Sequence, residues 1–76
     1  MNCEDAWHLQ DEITAMVNAL GYSIWELSLD ERSGCFTLQL QQHLDEAAAS
    51  ALCCHMPLPA DYDGQGPYGS IFTLTP

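Results

Sequence analysis

Lysine is absent and arginine occurs once, at Arg32, against eleven Asp and Glu, so the 76-residue chain carries a formal charge of −10 at pH 7. A surface of that sign repels DNA, RNA and anionic membranes, which argues against direct binding to any of them. Hydrophobic residues make up 47% of the chain, yet no run approaches the ~18–20 apolar residues of a membrane span. The segment MNCEDAWHLQ has neither a basic n-region nor an apolar h-region, so no signal peptide is expected and the expected location is the cytoplasm. Cysteine occurs four times, but Cys3, Cys35, and the adjacent Cys53 and Cys54 form no C-x2-C pair, and no H-x3-H pair accompanies them. Free thiols and no metal site are the expectation.

Motifs of catalysis are equally missing. The chain has no G-x-S-x-G, H-E-x-x-H, Walker or dinucleotide signature. Its paired acids fall at helix starts and turns, where water solvates both carboxylates and no apolar pocket moves one pKa away from the other. A catalytic cysteine would need positive potential that a single arginine hardly supplies. The expectation is a non-enzyme with no catalytic residue and no cofactor.

What is present has the pattern of one small folded domain over residues 1–76. Ala6, Leu9, Ile13, Met16, Val17 and Leu20 recur at three- and four-residue steps, which predicts an amphipathic helix from Asn2 to Leu20 that Gly21 ends. Alternation then predicts a strand from Tyr22 to Leu29, with Trp25, Leu27 and Leu29 facing the core. The turn Asp30–Gly34 leads to a second strand in which Phe36, Leu38 and Leu40 face the same way and a Thr and Gln row faces water. Asp45 is the expected N-cap of an alanine-rich second helix that Pro57 and Pro59 stop. PLPADYDGQGP is expected to be a loop, and a last strand spans Tyr68–Thr75. The expected fold is α+β in the order α-β-β-α-β: a three-stranded antiparallel sheet with both helices on one face. Such a sheet leaves an edge that a second copy could cover, which makes a homodimer the alternative to a monomer.

The acids come largely in doublets. A folded chain of this mass exposes about 4,600 Å², so eleven evenly spread acids would lie roughly 20 Å apart and act singly beyond the ~8 Å Debye length. Glu4-Asp5, Asp11-Glu12, Asp30-Glu31 and Asp45-Glu46, with Asp61 and Asp63 flanking Tyr62, instead make local charges of about two. A surface lined with Lys and Arg is their natural receptor. The candidate partner-binding residues are Glu4, Trp7, Asp11 and Glu12 on the first helix, Asp30 and Glu31 in the turn, and Asp61, Tyr62 and Asp63 in the loop. Trp7 either caps the core or anchors a partner, and Tyr62 is either a packed residue or a loop tip.

In size, charge and single-domain α+β build, the chain resembles phage-encoded anti-CRISPR and other DNA-mimic inhibitors. That resemblance implies a protein that occupies the basic, nucleic-acid-handling surface of a larger protein or complex. A helix followed by YSIWELSLDERSGCFTLQLQ also resembles the start of type III secretion chaperones, which carry more strands and a further helix. This second resemblance implies a small acidic adaptor that binds an effector segment.

Overall fold

The computed structural model describes residues 3–75, and side chains from Trp7 to Thr75. The chain runs α1 (Cys3–Ala19), β1 (Ile24–Leu29), β2 (Phe36–Leu40), α2 (Glu46–His55), β3 (Ala60–Gln65) and β4 (Ser70–Leu74). The strands form one antiparallel sheet in the order β1-β2-β4-β3, so two hairpins lie side by side and join through their second strands. The fold is α+β, as expected, but the sheet has four strands rather than three.

Local chemistry accounts for the element ends. Gly21 adopts φ +89° after α1, where its N–H bonds the Asn18 carbonyl and the Tyr22 N–H bonds that of Val17. This double bond with a left-handed glycine satisfies carbonyls that a helix end otherwise leaves open. At the start of α2 the Asp45 carboxylate accepts the Ala48 N–H at 2.7 Å, and Glu46 stands in the first turn, where the helix dipole favours an anion. The Asn2 N-cap expected for α1 lies outside the described residues.

One apolar face of the sheet meets both helices. Phe36, Leu38 and Leu40 of β2 and Phe72 and Leu74 of β4 are buried against Ile13 and Val17 of α1, Ala49 and Leu52 of α2, and Leu44. The helix contacts place α1 over β1 and α2 over β3. Both helices therefore cover the same face, and the opposite face has no helix over it.

Three expectations are corrected. PLPADYDGQGP supplies β3: Ala60 and Tyr62 turn toward the core while Asp61 and Asp63 turn away, and Gly64 at φ +101° takes up a bulge. Pro59 sits just before the strand, where the ring costs no ladder bond, and its carbonyl accepts the Thr75 N–H at 2.8 Å. The core row of β1 departs from the expected one at Trp25, while Leu27 and Leu29 pack on the core as expected. A register shift between Ile24 and Glu26 makes Trp25 the extra residue, so Ile24 packs on the core and Trp25 is 50% exposed. Leu20, expected in the core, is exposed at the end of α1, and Leu44 before α2 takes up a core position instead.

Candidate functional site

The surface opposite the helices follows from the register. One row crosses the sheet as Ser28, Thr37, Thr73 and Asp61, and the next begins Glu26, Gln39, Ile71. Asp63 is the bulged residue beside this second row, and the Thr73 hydroxyl donates to its carboxylate. Glu26 thus marks one edge strand, and Asp61 and Asp63 mark the other. Strands spaced ~4.8 Å apart put the two edges roughly 14 Å apart. Thr37, Thr73, Gln39 and Ile71 occupy the space between, and neither Lys nor Arg stands on the face.

One end of this face is closed by the β3–β4 turn. Gly66 lies so close to the sheet that a Cβ there would come within 2.6 Å of Gln39 Nε2 and of Ile71 Cδ1. Beneath it, Gln39 Nε2 is buried with no hydrogen-bond partner. Tyr68, from the same turn, stacks on Trp25 of β1 with ring centroids 3.9 Å apart and planes inclined by 25°. Each ring shields one face of the other, yet Tyr68 remains 51% exposed and Trp25 is open to the same degree.

The sequence candidates fall in three places. Trp7 is 72% exposed on α1, and Asp11 follows it one turn later on the same side of the helix. Glu12, about 100° further round, lines a groove of about 420 Å³ with Ala15, Met16, Ala19, His55 and Pro57, so this doublet is divided between two surfaces. Glu4 belongs to α1, and its side chain lies outside the described residues. Asp30 and Glu31 are exposed in the β1–β2 turn, where Asp30 Oδ1 accepts the Arg32 N–H at 2.9 Å.

Asp61 and Asp63 stand on the open sheet face. Tyr62 between them points the other way: its ring tilts against Phe72 at 5.5 Å, and its hydroxyl accepts from Gln65 Nε2 at 2.6 Å. It is a packed residue of an edge strand rather than a loop tip. The acids therefore occupy both sides of the molecule, and the open face collects Glu26, Asp61 and Asp63. Glu26, Trp25 and Tyr68 were absent from the sequence candidates. The outward alternation of Glu26 with Ser28 was readable, whereas the bulge that turns Trp25 outward leaves no mark in composition.

Among the described residues, no three His, Cys, Asp or Glu side chains converge as metal ligands would. No described helix is long and apolar enough to cross a membrane. Cys35, Cys53 and Cys54 are free thiols. Burial pushes the Cys53 thiol up from its ordinary pKa, and the Asp61 carboxylate and Cys54 push it in the same direction.

No family model matches the chain, and neither does any of the curated proteins or solved structures compared with it.

Proposed function

We propose that this is an acidic binding protein that docks its open sheet face on a Lys- and Arg-lined, nucleic-acid-handling surface of a larger protein, and so keeps nucleic acid from it. The observation that carries this reading is the uncovered face with Glu26 on one edge strand and Asp61 and Asp63 on the other. Asp61 and Asp63, two residues apart on one strand, are separated by about 7 Å, within a Debye length at physiological salt. Their fields add. Hydroxyls of Ser28 on the β1 edge and of Thr37 and Thr73 between the edges can bond partner side chains without adding charge of the opposite sign.

Duplex DNA presents one charge per ~1.7 Å of axis, far denser than three carboxylates on a face roughly 14 Å wide. The protein therefore acts by occupying the basic surface rather than by reproducing phosphate spacing. The test is competition: the partner's own nucleic acid should displace the protein from the partner in proportion to its concentration. Simultaneous binding of both would contradict the reading.

A second reading, an adaptor for an apolar segment, has one observation in its favour. The groove between α1 and α2 is lined by Ala15, Met16, Ala19 and Pro57, with Glu12 and His55 as its polar members. Binding there would be insensitive to salt, which separates the two readings.

A further inference from the structure

The open face carries one feature that charge does not explain. The stacked Trp25 and Tyr68 rings are not needed to shape the β3–β4 turn, because backbone bonds already fix it. The Gly66 N–H bonds the Gly69 carbonyl at 2.8 Å, and the Ser70 N–H bonds the Gln42 carbonyl at 2.9 Å. A Cβ at Gly69 would also run into the backbone carbonyls of Leu40 and Gln42, so the turn is seated directly on the chain beyond β2. Both residues nevertheless stay about half exposed, at 50% for Trp25 and 51% for Tyr68. Glu26 faces outward by alternation with Ser28, and the bulge brings Trp25 out beside it, so an aromatic face and a carboxylate are adjacent on one edge strand.

We propose that Trp25 and Tyr68 form a platform for an arginine side chain of the partner, whose guanidinium lies on the outer ring face while Glu26 takes its N–H groups; this rests on the open face being the docking surface. A guanidinium is planar and weakly hydrated, so it can stack on an aromatic ring and bond a carboxylate in one geometry. An ammonium is compact and strongly hydrated, and it gains less from the ring. The chain's own cation does not reach the site. Arg32 lies beyond the far end of β1, and five extended residues from Trp25 to Asp30 alone span roughly 17 Å. A second copy of the chain is a poor occupant, since each copy carries a charge of −10.

The test uses arginine and lysine homopeptides of equal length, with the Trp7→Phe protein so that Trp25 is the sole indole. The arginine peptide should bind about threefold or more tighter than the lysine peptide and change Trp25 fluorescence. Trp25→Leu and, independently, Tyr68→Leu should abolish that preference while leaving lysine-peptide affinity in place, and Glu26→Gln should weaken both peptides. Circular dichroism identifies variants that remain folded, and Tyr68→Leu, in a turn held by backbone bonds, decides the matter if Trp25→Leu does not fold. Equal affinities, an unchanged fluorescence signal, or a preference that survives in Tyr68→Leu would overturn the platform and leave the docking face standing. Failure of both peptides to bind at low salt would overturn the docking face and the platform with it.

Discussion

Ser70 Oγ accepts the Leu44 N–H at 2.8 Å and donates to Gln65 Oε1 at 2.9 Å, which ties the approach to α2 to both strands of the second hairpin. Gln65 continues the tie, because its Nε2 donates to the Leu44 carbonyl and its Oε1 also bonds His43 Nδ1. The last bond requires the Nδ1 proton on His43, since the amide oxygen only accepts. Ser70 is fully buried, so no water replaces its hydroxyl. Ser70→Ala should cost about 1–3 kcal/mol, the penalty of a buried donor left unpaired, read as a lower urea midpoint at unchanged slope.

Gly69 tolerates no side chain. A Cβ would meet the Leu40 and Gln42 backbone carbonyls, which cannot rotate aside. Gly69→Ala should therefore destabilise by about 1–3 kcal/mol or more, as overpacking against rigid atoms does. A thermal melt within a degree of the parent would contradict the seating of the turn.

Gln39 gives the opposite sign. Its Nε2 is buried under Gly66 without a partner, and a buried unpaired donor costs about 1–3 kcal/mol. Gln39→Leu keeps similar bulk and removes the donor, so stability should hold or rise by about 1 kcal/mol. A clear loss in chemical denaturation would mean that the amide is engaged.

Cys53 and Cys54 should differ in reactivity although they are neighbours. Cys53 is half-buried, and its raised pKa keeps it a neutral thiol over more of the alkaline range. Alkylation near pH 8 should therefore label the exposed Cys54 before Cys53, as mass spectrometry of the peptides would show. In folding terms, a thiol whose pKa is raised on folding contributes stability that is fully present below its ordinary pKa. That contribution is lost as pH rises through the folded value. Cys53→Ser should flatten the alkaline side of the stability profile.

Several parts of this fold were legible because single residues announce them. The periodic stripe through Ile13 and Val17, the left-handed Gly21, the Asp30–Gly34 turn and the Asp45 cap each follow from local chemistry. β3 was hidden because three prolines, two glycines and two acids give PLPADYDGQGP the composition of a loop, although Ala60 and Tyr62 turn inward and Asp61 outward as in an edge strand. Trp25 was misplaced because a bulge shifts the face of a strand by one residue while its composition stays the same. The candidate site was legible in its acids and not in its geometry. Asp61 and Asp63 were singled out by sequence, but their place opposite Glu26 depends on β4 pairing between β2 and β3, a long-range choice that no local pattern records.

The most direct measurement is the affinity of the partner recovered from the source cell for charge-reversed variants, each at about 0.05 M and about 0.2 M salt. Asp61→Lys with Asp63→Lys, on the open face, should reduce both affinity and on-rate more than Asp11→Lys with Glu12→Lys on the helix layer. The parent should bind much more weakly at the higher salt. Equal binding at both salts, or a larger loss from the helix pair than from the sheet pair, would contradict the open face as the docking surface.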